Sequence, residues 1–313
     1  DLALTDVLRL SRGMTYKNAV AGLPFGGGKS VILAREHAPK SKALFQAFGR
    51  AIDSLQGRYI TAEDVGISVE DMRIVRSETP FVSGLPQSGA AAGGDPSPWT
   101  ALGVFHGIEA AAAARLGSES LEGVSVAVQG VGHVGTYLCK LLHEAGAKLL
   151  VADVNRENLV SLCEEVPAEV VSPRDILFSD TDVLAPCALG NVLNSETIPR
   201  IRAKIVAGAA NNQLASVEDG ARLAERGVLY APDYVINAGG VISVAYEYLG
   251  NSTDAKVRSE VCRIPQRLRR IFADAVSSAR PTNVVADELA QQIVAKGRQT
   301  ETTNRSTAGR RIA

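Results

Sequence analysis

One stretch, residues 124–153, limits what this chain can fold into more than any other. Val124-Ser125-Val126-Ala127-Val128-Gln129 reads as a strand and runs straight into Gly130-Val131-Gly132-His133-Val134-Gly135, a GxGxxG pattern. A helix is predicted over 134–145, closed by Gly146, then a strand over 148–152 that ends at Asp153, 18 residues past Gly135. The glycine pattern alone is weak evidence. Between a strand and a helix, with an acid close to the ~20-residue offset of a ribose-binding carboxylate, it reads as a dinucleotide fingerprint. Gly130 permits the tight turn, Gly132 lets backbone reach a pyrophosphate, and Gly135 allows close helix–strand packing. The helix N-terminus turns free N–H groups and a positive dipole end toward the phosphates. Asp153 can accept from both ribose hydroxyls and repels a 2′-phosphate, so NAD is expected rather than NADP. The His133 side chain is read as a bystander facing solvent.

The same alternation extends over the second part of the chain. A helix is expected over 100–116, stopped by Gly117, with further strands at 182–185, 204–207 and 228–230 and helices at 239–249 and 255–279. Strands separated by helices predict an α/β fold with a parallel, doubly wound sheet of Rossmann type. Residues 1–99 mix helical and extended patterns: a helix from Leu4 to Ser11, a buried strand over Ser30–Leu33, a helix over 41–55 and a short strand at Tyr59–Thr61. Glu63 to Gly66 leaves that strand in a turn, and a loop over 83–98 links the halves. The expected organisation is a substrate-binding and catalytic domain at 1–99 and an NAD-binding domain at 100–280. A C-terminal helix at 281–296 packs back on the first domain, and a disordered tail covers 297–313.

Composition narrows the function classes. With 33 basic and 34 acidic side chains, the net charge of -1 gives no general attraction to nucleic acid or anionic membrane. No apolar run approaches the roughly 20 residues of a membrane-spanning helix. Cys139, Cys163, Cys187 and Cys262 are scattered, and four histidines form no HExxH pair. No metal site or disulfide framework is expected, and a reducing cytoplasm is the natural setting. The chain opens on Asp1 inside a helical pattern with no cap before it, which reads as a missing N-terminal segment.

Two lysines stand out against this background. Lys17 closes Gly13-Met14-Thr15-Tyr16-Lys17, and Lys29 follows Gly26-Gly27-Gly28. Three consecutive glycines suggest close approach or unusual dihedrals, and two nearby cations suggest an anionic ligand. Gly28-Lys29-Ser30 resembles the end of a P-loop, but that motif needs glycine at position 23, where Leu23 stands, and Pro24 removes an N–H from a loop that should donate them. The other reading is a lysine tuned for acid–base work by burial and a neighbouring cation. For an amino-acid substrate, Lys17 would bind the carboxylate, Lys29 would activate water and Asp64 would move a proton.

The motifs together resemble the Glu/Leu/Phe/Val dehydrogenase family, closest to its leucine, valine and phenylalanine branch. They are Gly13-Met14-Thr15-Tyr16-Lys17-Asn18, Gly26-Gly27-Gly28-Lys29, Thr61-Ala62-Glu63-Asp64-Val65-Gly66, Val128-Gln129-Gly130-Val131-Gly132, Ala185 to Gly190, Ala209 to Leu214 and Pro232 to Gly240. The resemblance spans residues 1 to about 295 in order. It implies NAD-dependent oxidative deamination of an L-amino acid to a 2-oxo acid and ammonia, and the reverse, in a homo-oligomer. Carried over, Lys17 holds the substrate carboxylate, Lys29 and Asp64 are catalytic, and Asn237 lies between substrate and nicotinamide. Thr100 and Asn211 lie near the nicotinamide, and Gly130, Val131, Gly132, His133, Val134, Gly135 and Asp153 hold the rest of the cofactor. Ala62, Leu268 and Ile271 would face the substrate side chain, although i, i+3 spacing at 268 and 271 also fits plain core packing. Alanine at 62 resembles the aliphatic-specific members, so leucine or valine is expected, with a phenylalanine- or tryptophan-type enzyme as the alternative. An alternative of another class is a catalytically silent NAD-binding relative or inactive fragment.

Overall fold

The computed structural model describes residues 2–33, 40–64, 66–85, 94–118, 120–188, 190–250 and 253–309, with side chains described as far as residue 297. Val65, Leu189 and, within the expected linking loop, residues 86–93 lie outside the described residues, as do the last four positions.

Six strands form one parallel sheet: β3 (Ser125–Gln129), β4 (Lys148–Ala152), β5 (Glu169–Val170), β6 (Val183–Pro186), β7 (Ile205–Val206) and β8 (Leu229–Tyr230). Their spatial order is β5-β4-β3-β6-β7-β8. Ranked along the chain, that is 3-2-1-4-5-6, the doubly wound order whose reversal point lies between β3 and β6. Successive residues of β3 enter different cores: Val126 and Val128 join the larger apolar cluster, Ala127 the other. Both faces are therefore covered, which is why these strands read as near-continuous apolar runs.

The first part of the chain holds α1 (Leu2–Ala21), α2 (Lys42–Asp53), β1 (Thr61–Ala62), α3 (Val69–Arg76) and β2 (Val82–Ser83). Ser41 caps α2 by accepting from the Leu44 N–H, and Phe45 and Ile52 bury its inner face. β1 and β2 pair in parallel, Ala62 opposite Ser83. The strand expected over Ser30–Leu33 does not form. Among the described residues no ladder takes it up, and Val31 and Leu33 stay 41% and 77% exposed. Strand preference without a cross-strand partner does not hold a strand.

Between the two parts runs α4 (Ser97–Leu116), stopped by Gly117 in the left-handed region at φ 75°. The chain ends in α8 (Asp233–Ile236), α9 (Gly239–Tyr248), α10 (Asp254–Val261), α11 (Ile264–Ser278) and α12 (Thr282–Gly309), after α5 (His133–Glu144), α6 (Arg156–Glu165) and α7 (Glu218–Glu225) around the sheet. The single helix expected over 255–279 is thus two. Pro265 lies in the first turn of α11, where its missing N–H costs nothing, but it could not continue α10. The disordered tail expected from 297 is also corrected as far as 309: α12 continues there, with no proline or glycine at 298–308 to stop it. Earlier in its length α12 lies against α1, where the Gln291 side chain donates to the Tyr16 hydroxyl at 3.0 Å.

Candidate active site

Lys29 reaches its place because the glycine loop lies directly on α1. Asn18 donates to the Gly26 carbonyl at 2.5 Å. A Cβ on Gly27 would overlap the backbone of Thr15, and one on Gly28 would lie 2.5 Å from the Tyr59 ring. None of the three glycines has positive φ, so close approach, and not an unusual dihedral, is what they supply. Ser30 Oγ and Tyr59 Oη sit 3.0 Å apart and fix the far end of the loop. Lys29 Nζ then pairs with Asp64 Oδ2, just past β1.

Lys17, four residues from the end of α1, donates to Asn211 Oδ1 at 3.1 Å. The same oxygen accepts from Asn237 Nδ2 at 2.8 Å, and Asn237 Nδ2 also donates to the Ala209 carbonyl at 3.0 Å. With its amide nitrogen fixed on two oxygens, Asn237 is left with a buried Oδ1 that has no partner among the described residues. Buried acceptors without donors are uncommon and point to a ligand group. Asn237 is held there by Gly239 and Gly240, whose bare α-carbons rest against Trp99 and Thr100 at the start of α4. Thr100 Oγ1 itself donates to the Pro96 carbonyl at 3.1 Å.

Burial pushes the Lys17 ammonium down to about 8, helped by the like charge of Lys29 and opposed by Asp233. Burial also lowers Lys29. Lys17 can therefore give up a proton near pH 8, and burial makes the loss of one from Lys29, which stands beside a carboxylate, easier than in water.

The fingerprint lies at the carboxyl end of β3. Gly130 has φ 93°, with the Ala188 backbone 3.0 Å from where its Cβ would stand. A Cβ on Gly135 would overlap the Gly130 carbonyl, whereas Gly132 faces open space. That open position at the start of α5 is the approach a pyrophosphate needs. Val131 and Val134 pack into the large core, while His133 is exposed. Asp153 follows β4 and accepts from the Val131 N–H at 2.8 Å and the Asn155 N–H at 2.7 Å. Two carboxylate oxygens offer about four acceptor positions, so capacity is left for ribose hydroxyls. These residues fit an NAD.

The structure thus joins Lys17 with Asn211 and Asn237, and Lys29 with Asp64. Ala62 lies on β1 beside that pair. Leu268 and Ile271 are placed differently: both are 0% exposed, and Leu268 packs toward Gly107 of α4. Sequence reading passed over Asp233, Ser83, Val244 and Glu247. Ser83 Oγ donates to the Val244 carbonyl at 3.0 Å, so β2 and Ala62 opposite it lie along α9. The only signal for Asp233 was its position inside the segment that also carries Asn237. Among the described residues no group of His, Cys, Asp or Glu side chains could hold a metal ion, and no helix is long and apolar enough to cross a membrane.

Comparison with known proteins agrees with this geometry. Residues 1–81 match the dimerisation domain of Glu/Leu/Phe/Val dehydrogenase, and residues 95–160 and 151–301 match glutamate/leucine/phenylalanine/valine dehydrogenase. Leucine dehydrogenase from Geobacillus stearothermophilus is 50% identical over 93% of this chain and 78% of its own length. Valine dehydrogenase from Streptomyces albus is 45% identical over 95% and 82%. The crystal structure of L-tryptophan dehydrogenase from Nostoc punctiforme superposes with a TM-score of 0.82 at 45% identity, covering 95% of this chain and 84% of that one. A site with paired lysines, a carboxylate and a dinucleotide turn, set in this sheet order and matched at this identity, places the chain in the Glu/Leu/Phe/Val dehydrogenase family of amino-acid dehydrogenases.

Proposed function

We propose that this enzyme catalyses the reversible NAD-dependent oxidative deamination of an L-amino acid, preferably a branched-chain aliphatic one, to a 2-oxo acid and ammonia. The observation that carries the reading is the Lys29–Asp64 pair, set beside a second lysine that is bound through Asn211 to a buried amide. In its charged form Lys17 takes the substrate carboxylate. The orphaned Oδ1 of Asn237 accepts from the substrate amino group. Gly130 to Gly135 and Asp153 would hold an NAD, with Thr100 and Asn211 toward its nicotinamide end, and the bound group would supply the acceptor for the hydride of the substrate α-carbon. Lys29, as the free amine, accepts a proton from water as that water adds to the imino carbon, and Asp64 moves a proton to the departing nitrogen. Removal of bulk water from the cleft keeps the imine from uncontrolled hydrolysis.

The division into a substrate domain at 1–99 and a cofactor domain at 100–280, with 281–296 returning to α1, is supported by the separate β1–β2 and six-stranded sheets and by the packing of α12. Ala62 forms one wall of the side-chain pocket. Val244, carried by α9 against β2, is a better second wall than Leu268 or Ile271, which have no exposed atoms to offer. The small Ala62 and the relation to leucine and valine dehydrogenases support an aliphatic side chain. The tryptophan dehydrogenase relatives keep an aromatic substrate as the second reading. Exposed Leu4 and Leu8, on the part matched by a dimerisation domain, support a homo-oligomer, and four free cysteines suit the cytoplasm. NADH formation is measured with L-leucine, L-valine, L-phenylalanine and L-tryptophan. The highest kcat/KM is expected with leucine or valine, and absence of turnover on all four would overturn the reading.

A further inference from the structure

Asp233 opens α8 and is the carboxylate around which the Lys17 side of the site is built. One of its oxygens accepts from the Gln213 N–H at 3.0 Å, the other from the Tyr234 N–H at 2.6 Å. Gln213 is wholly buried, and its amide donates to the Gly208 and Ala210 carbonyls at 2.9 and 3.0 Å. The loop from Ala209 to Gln213 is therefore fixed at both ends, with Asn212 in the left-handed region at φ 52° and Asn211 presented to Lys17. Removing the Asp233 carboxylate would free the segment that places Asn211 and receives Asn237.

The charge of Asp233 acts as well as its shape. Lys17 lies in a partly buried position between Lys29, a like charge, and Asp233, the opposing one. The Asp64 carboxylate is already engaged with Lys29. From the surrounding elements Asp233 is faced by Lys17 of α1, Tyr230 of β8 and Tyr234 beside it, and Asp287 of α12 acts on both tyrosines. The Tyr234 hydroxyl donates to Asp287 at 2.8 Å, and Arg12 is 3.7 Å from the same carboxylate. Asp287 thus has its own partners, which leaves Asp233 as the carboxylate acting on Lys17.

We infer that Asp233 is a positioning residue for the substrate carboxylate, tying the end of the Asn211 loop to the start of α8 through the Gln213 and Tyr234 N–H groups and serving as the counter-charge of Lys17. This rests on the proposed role of Lys17, and its consequence is a dependence on pH. A lysine that has lost its opposing charge gives up its proton at lower pH, so carboxylate binding fails earlier as pH rises.

The test uses the full chain with NADH present and isocaproate, a carboxylate with no amino group, as the probe. Its dissociation constant is followed by titration calorimetry from neutral to alkaline pH, beside turnover of L-leucine. In the unaltered enzyme binding should weaken as pH rises past about 8, where Lys17 loses its proton. In Asp233→Asn that weakening should begin about one pH unit lower, with binding at least fivefold weaker at pH 8 and NADH affinity within twofold. Asp233→Glu, which keeps the charge, should return the pH dependence toward that of the unaltered enzyme even if affinity stays reduced. If Asp233→Asn does not fold, Asp233→Glu decides alone: a pH dependence within about 0.3 units of the parent supports the inference, and an acid shift as large as that expected for charge loss overturns it. An unshifted profile in Asp233→Asn, or equal losses of isocaproate and NADH, also overturns it. An unaltered enzyme that turns over none of the four amino acids would instead overturn the functional reading itself.

Discussion

At the scale of single residues, the triple glycine and the lysine behind it answer different needs. The glycines are spacers. Gly27 lies on helix backbone that cannot move aside, Gly28 lies under a ring that can tilt, and Gly26 faces open space. Alanine should therefore cost about 1–3 kcal/mol at 27, by overpacking, less at 28, and almost nothing at 26. Thermal unfolding of the three variants checks that order, and equal losses would contradict it. Lys29 is the part of the same segment to which the proposed chemistry assigns a role. Lys29→Ala should lower kcat by a factor of roughly 10²–10⁴, the range of a lost general acid or base, with NAD affinity unchanged. Surviving turnover, measured beside NAD titration, would remove Lys29 from its role. The sequence made the lysine legible because a cation behind three glycines is rare. It left the purpose of the glycines open, since the partners Thr15 and Tyr59 approach them only in the folded chain.

Elements differ in how much of themselves they show in sequence. β3, β4 and β6 were legible because burial on both faces leaves unbroken apolar runs, and α5 because its glycines fix its start. α3 was not: of its eight residues only Met72 and Val75 are buried apolar side chains, too few to set a period. What holds α3 is its cap, in which Ser68 accepts from the Asp71 N–H and Asp71 accepts from the Ser68 N–H at 2.9 Å. Lys40 adds a 2.7 Å ion pair. Burial alone would push the Asp71 carboxyl up, but Lys40 and Ser68 hold it below its usual value. A carboxyl lowered by folding favours the native state above the ordinary aspartate range, about pH 4, and loses that contribution as pH falls through its folded value. Acid unfolding should accordingly be less steep in Asp71→Asn than in the parent below about pH 4, and an identical slope would contradict the assignment. The β3–α5–β4 unit makes a second prediction. Asp153 holds the Val131 N–H and is the proposed ribose ligand, so Asp153→Ala should weaken NAD binding at least tenfold while raising the NADP-to-NAD affinity ratio. Titration with both dinucleotides measures this, and a parent enzyme that binds NADP as tightly as NAD would contradict the role of Asp153.

At the scale of the whole molecule, the site exists only where distant segments meet. Lys17 and Asn211 are 194 residues apart in sequence, and Gly84 and Glu247 are 163 apart. No local pattern encodes such pairs, which is why the two lysines stood out in the sequence but their supports did not. The join between β2 and α9 is the clearest case. The Gly84 N–H donates to Glu247 Oε1 at 3.1 Å, next to the bond from Ser83 to the Val244 carbonyl. Glu247 is 7% exposed, an expensive place for a carboxylate unless it holds something. It lies beside a cavity of about 470 Å³ lined by Arg76, Val82, Ser83, Leu85 and Tyr248. Because β2 pairs with the strand carrying Ala62, and Asp64 follows that strand, the join sets how the Lys29–Asp64 pair meets α9 and the Asn237 segment before it. Glu247→Ala leaves the Gly84 N–H without its acceptor and should cost about 1–3 kcal/mol of stability. The effect on function should be uneven. The KM for the amino acid should rise severalfold, because Ala62 and Asp64 lose their register against α9, while NAD affinity stays within twofold because the fingerprint, after β3 of the other sheet, takes no part in the bonds from β2 to α9. Steady-state kinetics and NAD titration on the same preparation distinguish this from general loosening, which would weaken both ligands alike.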